Sequence, residues 1–179
     1  MPRLNTGLSL TKTQEGIAER VLAYLRSSTE RKGVLVAGLS GVGKSFLLES
    51  ILQDIETAGG SVFDGELTDL RSYTKGSPGS IVIPVVVNEV TRAEELVAEL
   101  FGKRVEEFVL PGMNSEEITT YIRTTIRGRK NAPSLTLEEL ASYSLVIPCI
   151  VGRFLLDVSI TKEHAAKIAA RYLYQSLGF

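Results

Sequence analysis

Gly38-Leu39-Ser40-Gly41-Val42-Gly43-Lys44-Ser45 satisfies the spacing G-x-x-x-x-G-K-[ST] at every fixed position. Val34-Leu35-Val36-Ala37 comes immediately before it, and an amphipathic segment from Phe46 follows. Apolar strand, glycine loop and helix, in that order, are the context phosphate binding requires. Glycines let backbone amides turn inward around an anion, and the helix N-terminus adds the positive end of its dipole. On this spacing Lys44 reaches the β- and γ-phosphates, and the Ser45 hydroxyl holds magnesium. Gly38, Leu39, Ser40, Gly41, Val42, Gly43, Lys44, Ser45 and Phe46 are therefore expected to bind a nucleoside triphosphate.

With 179 residues, 44% of them apolar, the chain can bury the core of one domain or one and a half. A formal net charge of −1 provides no chain-wide attraction to nucleic acid or anionic membrane. The single cysteine, Cys149, leaves no internal disulfide and suits a reducing compartment. The opening MPRLNTGLSL lacks the apolar core of a signal peptide, and no apolar run approaches the ~20 residues that span a bilayer. A soluble, cytoplasmic protein with no membrane partner is expected.

Thr11 and Gln14 have capping-box spacing, and Ile17, Ala18, Val21, Leu22 and Leu25 form a helical stripe. After the loop, Leu47, Leu48, Ile51, Leu52 and Ile55 make a helix face that stops at Gly59-Gly60. Ser61-Val62-Phe63 is a short strand running into Asp64-Gly65-Glu66, and residues 75–79 read as a turn. Residues 81–87 form the most apolar run and predict a buried parallel strand, against which Pro84 argues. Thr91 with Glu94 predicts a helix cap, Leu96, Val97, Leu100 and Phe101 its apolar face, and residues 105–110 a further strand. Four helices are then expected: 115–127, one opened by Thr136 and Glu139, 149–158 and 161–177. Strand–helix alternation followed by helices predicts a three-layer α/β body with an all-α appendix.

Together these features resemble AAA+ ATPases in a reduced form. The resemblance rests on the helix ahead of the first strand and on the intact phosphate loop. It rests also on residues 81–110 (IVIPVVVNEVTRAEELVAELFGKRVEEFVL), similar to that family's sensor-1 strand, helix and final strand. The helical tail is similar to its C-terminal lid, with Gly152-Arg153 on the third helix and Ile160-Thr161-Lys162-Glu163 opening the fourth.

The resemblance implies a P-loop NTPase core over 1–112, three-layered with a parallel sheet and an N-terminal helix at 11–27, then a four-helix lid over 113–179. It implies ATP and Mg2+ as cofactors, with ATP hydrolysis driving a conformational change in a homo-oligomer or larger assembly that acts on a protein or DNA partner. Lys44 would contact phosphate, and Ser45 and Asp64 the metal. Asp64 and Glu66 stand where the Walker B acids are expected, one in the magnesium shell and the other polarising the attacking water. Asn88 matches the sensor-1 position that orients this water. Arg104 matches the arginine finger that acts on a neighbouring subunit's nucleotide, and Arg153 matches sensor 2. The family core normally has one more strand–helix unit before the Walker B strand, and its acids are adjacent. Those departures, with Pro84, imply a slow ATPase or a regulatory domain that binds nucleotide without hydrolysis.

Bland readings stand beside these. Asp64 and Glu66 are also ordinary loop acids, with Glu89 the spare candidate, and Arg104 is also a solvated arginine. Arg123, Arg127, Arg129 and Lys130 suit a helix C-terminus as well as DNA phosphates. His164 has no second histidine or cysteine nearby to make a metal site. Residues 38–71 also resemble the opening of adenylylsulfate kinases, which implies a phosphotransferase. There Asp64 would accept a proton, Arg71 would grip the acceptor, and Arg123, Arg127 and Arg129 would be lid arginines.

Overall fold

The computed structural model describes residues 9–77, 79–102, 105–126, 135–145, 147–154 and 159–176. At its centre is β1 (Gly33–Gly38), all six residues of which are buried. A strand without polar alternation needs cover on both faces, and the topology supplies it. β1 pairs in parallel with β3 (Ser80–Val86) on one side and β4 (Val105–Val109) on the other. β2 (Gly60–Val62) adds to the far side of β3, giving the order β2-β3-β1-β4.

Right-handed crossovers then fix the layers. From β1 the chain passes β3 to reach β2, through α2 (Lys44–Ser50) and α3 (Leu52–Thr57). From β3 it passes β1 in the opposite direction to reach β4, through α5 (Val90–Phe101). The two connections therefore lie on opposite faces, and the buried side chains follow. Val34, Val36 and Val82 pack with Leu47, Leu48, Ile51 and Ile55 and with Ile17, Val21 and Leu25 of α1 (Lys12–Arg26). Leu35, Ile81, Ile83 and Val85 pack on the other face with Leu70 of α4 (Leu70–Gly76) and Ala93, Val97 and Phe101 of α5. The expected three-layer α/β body with a parallel sheet is present.

Pro84 sits inside this sheet without breaking it. Ile81 N–H donates to Lys32 O on the β1 side, whereas Val82 O accepts from Phe63 N–H on the β2 side. Alternation along the strand points the Pro84 nitrogen to the β2 side, where pairing has ended at Val62 and Val82. The missing donor falls where the ladder offers no acceptor.

Some local expectations are corrected. Thr91 is not a helix cap: the chain leaves β3 through a tight turn at Val87–Glu89, and α5 already starts at Val90 with no side-chain cap. Lys75 and Gly76 belong to α4, where only a turn was expected; Leu70 and Thr74, one turn apart, are its buried face. The helix after the loop is interrupted at Ile51 (φ −111°, ψ 12°), and Leu52 is exposed rather than on its buried face.

Beyond β4 come α6 (Ser115–Ile126), α7 (Leu137–Tyr143), α8 (Pro148–Phe154) and α9 (Lys162–Ser176). Thr136 and Glu139 form the expected capping box of α7. Ile118, Ile122, Leu140, Ile150 and Phe154 continue the hydrophobic cluster begun by Val34 and Leu47, so one core crosses the boundary drawn at 112/113. No helix among the described residues is long and apolar enough to cross a membrane.

Glu117 ties the start of α6 to α1. Its carboxylate accepts Thr13 N–H at 2.8 Å, Thr13 Oγ1 at 2.9 Å and Asn114 N–H at 2.9 Å. Burial pushes this carboxyl up, but the hydrogen bonds from Thr13, Asn114 and Thr11 together hold it below the ordinary value. A depressed folded-state pKa means its contribution is complete above the unfolded value and lost as pH falls through the folded one. Glu117→Ala is expected to lower stability by about 2 kcal/mol at neutral pH in urea unfolding. The gap from the unsubstituted chain should close as pH falls below the ordinary glutamate value of 4.5.

Candidate functional site

β1 and β3 are neighbours whose following helices lie on opposite faces, so a crevice opens beyond their carboxyl ends. Open α/β sheets bind ligands at such a switch point. The loop 38–45 follows β1 into this crevice, and Asn88 follows β3.

The loop is built by its glycines. Gly41 (φ +70°) and Gly43 (φ +104°) occupy the left-handed region, where a side chain is strained. At Gly38 a Cβ would stand 2.7 Å from Leu110 O. Lys44 turns back over the loop, its Nζ donating to Gly38 O and Leu39 O at 2.9 Å each. The side chain is buried, and desolvation lowers its pKa from 10.5 to about 8. Ser45 is exposed in the first turn of α2, directly after the lysine.

Two cavities flank these residues. The first, of about 350 Å³, is lined by Ser40, Asn88, Glu89, Arg153, Tyr172 and Gln175. It brings together Ser40 of the loop with Asn88, Glu89 and Arg153, three residues singled out in the sequence. The second, of about 570 Å³, reaches Gly43 of the loop and Phe46 of α2 and is walled by Leu10, Gln14, Met113 and Tyr121. Volumes of this order suit small-molecule ligands.

Asp64 and Glu66 line neither cavity. Both are exposed, beyond the edge strand β2, with β3 between them and β1. Two strand spacings, about 10 Å, separate their strand from the loop's. Arg104, Arg127, Arg129 and Lys130 lie outside the described residues. Arg71 is paired with Glu99 of α5 at 2.5 Å, away from either cavity. Among the described residues no cluster of three or more His, Cys, Asp or Glu could hold a metal.

Sequence reasoning missed three contributors. Gln14 was legible only as a helix cap, yet it reaches the loop. Cys149 of α8 and Tyr172 of α9 press on Gly41: a Cβ there would run into Cys149 Sγ and lie 2.7 Å from the Tyr172 oxygen. No periodicity signals that contact, because it joins residues more than 100 positions apart. Neither protein-family models nor curated proteins give any match to this chain.

Gly41→Ala is expected to destabilise the protein by about 1–3 kcal/mol, from left-handed strain and the clash with α8. Gly152→Ala, in α8 with open space around its Cα, should instead stabilise by about 0.5–1 kcal/mol in the same thermal or urea unfolding measurement.

Proposed function

We propose that the chain is an AAA+-like P-loop NTPase that binds ATP at residues 38–45 and hydrolyses it slowly to act on a partner. One observation carries the reading: a glycine loop bearing a buried ammonium opens on one side to Ser40, Asn88, Glu89 and Arg153, and on the other to a nucleoside-sized cavity.

The residues then divide the work. Loop amides and the Lys44 ammonium hold the phosphates, the ammonium exchanging the Gly38 and Leu39 carbonyls for phosphate oxygens. Asn88 orients a water toward the γ-phosphorus, and Glu89, replacing Asp64 and Glu66 in that role, takes up its proton. The new bond joins water oxygen to phosphorus, and the bond to the β-phosphate's bridging oxygen breaks. Arg153 offsets the negative charge spreading over the transferred group, the main requirement of phosphoryl transfer. The Ser45 hydroxyl would hold magnesium, and the ion would supply further neutralisation of the phosphates. Arg104 keeps its sequence-derived assignment as a finger for a neighbouring copy.

Lys44 gives the reading a pH signature. Free, it is half deprotonated near pH 8; beside a triphosphate its charged form is favoured. ATP binding at pH 8–9 should therefore take up protons, and calorimetry in buffers of different ionisation heats measures that uptake. Lys44→Ala should abolish the uptake and weaken ATP binding by roughly two orders of magnitude.

Asn88→Ala, Glu89→Gln and Arg153→Ala should each lower phosphate release at saturating ATP by roughly tenfold or more while altering ATP affinity much less. Undiminished turnover in all three would remove the roles given to Asn88, Glu89 and Arg153. Gel filtration with and without ATP tests self-association: a monomer in both, with unchanged turnover in Arg104→Ala, would exclude the finger.

A further inference from the structure

Gln14 is only 3% exposed, less than Lys44. Its Oε1 accepts Thr11 N–H at 3.1 Å, completing the capping box of α1. That bond fixes the amide's orientation, with oxygen toward Thr11 and nitrogen turned the other way. Nε2 lies against Gly43, 2.7 Å from where a Cβ would stand, and carries no hydrogen bond among the described residues. The side chain lines the 570 Å³ cavity. Although the residue as a whole is buried, Nε2 is not among the fully enclosed atoms that lack a partner, so its donors keep an opening, and the cavity is where a ligand can use them.

We propose that Gln14 reads the base of the bound nucleotide and selects adenine; this rests on the assignment of residues 38–45 as a phosphate loop. Adenine presents an exocyclic amine beside a ring nitrogen with a free lone pair. A glutamine amide complements that edge: Nε2 donates to the ring nitrogen, and the second lone pair of Oε1 accepts from the amine. Guanine places a carbonyl oxygen where adenine has the amine, so two acceptors would face each other. Phe46, Met113 and Tyr121, also lining the cavity, provide apolar surface for the ring faces. Gln14 meets the loop at Gly43, next to Lys44, so base and phosphate positions are contiguous.

Gln14→Glu separates the reading function from the capping one. Glutamate at this position keeps the acceptor that the capping box needs, but loses the donor. Its carboxylate instead complements guanine's ring N–H and exocyclic amine. Calorimetric titration of the full chain with the magnesium complexes of ATP, GTP and ITP should show the unsubstituted protein preferring ATP over both others by roughly tenfold or more. In Gln14→Glu the ATP-to-GTP preference should fall by at least that factor. An unchanged preference in a folded Gln14→Glu overturns the proposal and leaves the phosphate loop standing. Should that variant not fold, equal affinity of the unsubstituted chain for ATP and ITP overturns it alone, because ITP differs at the amine edge. If no triphosphate binds the unsubstituted chain, the phosphate-loop reading falls and this proposal with it.

Discussion

The ammonium of Lys44 rests on two backbone carbonyls, Gly38 O and Leu39 O, inside a loop that only glycine can close. Burial of a charge is tolerated when polar groups replace its water, and here the replacement is partial: desolvation still brings the group to about 8. It remains largely charged at neutral pH, and its partners are neutral dipoles that an anion can displace. For this to hold, β1 must deliver the loop to a fixed place, and α2 must begin at once behind it. Both depend on β1 being buried on two faces between β3 and β4. The layers of the fold therefore serve one short turn of chain.

The same topology determines what the loop meets. Because β3 adjoins β1, the turn carrying Asn88 and Glu89 opens toward the loop, while the turn after β2 lies a strand further out. Opposite stand Arg153 and Gln175 from the C-terminal helices. The cavity is lined by one arginine, one carboxylate and the two amides of Asn88 and Gln175, beside a loop that bears an ammonium.

How much of this was legible depended on whether the signal was local. The loop, the Thr11–Gln14 and Thr136–Glu139 boxes and the buried strands are written in neighbouring residues, and spacing alone identified them. α4 escaped because its apolar spacing is short and Gly76 close by reads as a breaker. That Asp64 and Glu66 follow a strand is legible, but their distance from the loop is not, because strand order is not local: nothing in the residues says that Ser80–Val86 inserts between β1 and β2. Pro84, which counted against that insertion, becomes harmless through the early end of β2, again a property of pairing. Gln14 was legible for its oxygen and not for its nitrogen, since the cap is a contact across three residues and the approach to Gly43 one across 29.

The C-terminal helices constrain how a bound phosphate could change shape into work. Ile118, Ile122, Leu140, Ile150 and Phe154 share one cluster with α1 and α2, and Glu117 holds α6 to Thr13. Swinging these helices off as a body would expose the apolar surface they share with α1 and α2, and burial of even one such side chain is worth roughly 1.5–3 kcal/mol. Typical coupling free energies are only about 1–3 kcal/mol, too small to drive such an opening. The contact of Cys149 and Tyr172 with Gly41 is a different matter, because it touches the loop directly and involves few groups. Any displacement of the loop would therefore be met first by α8 and α9 at Gly41. Arg153 on α8 and Gln175 on α9 line the cavity beside the loop, so the two helices that touch Gly41 also carry side chains of that cavity.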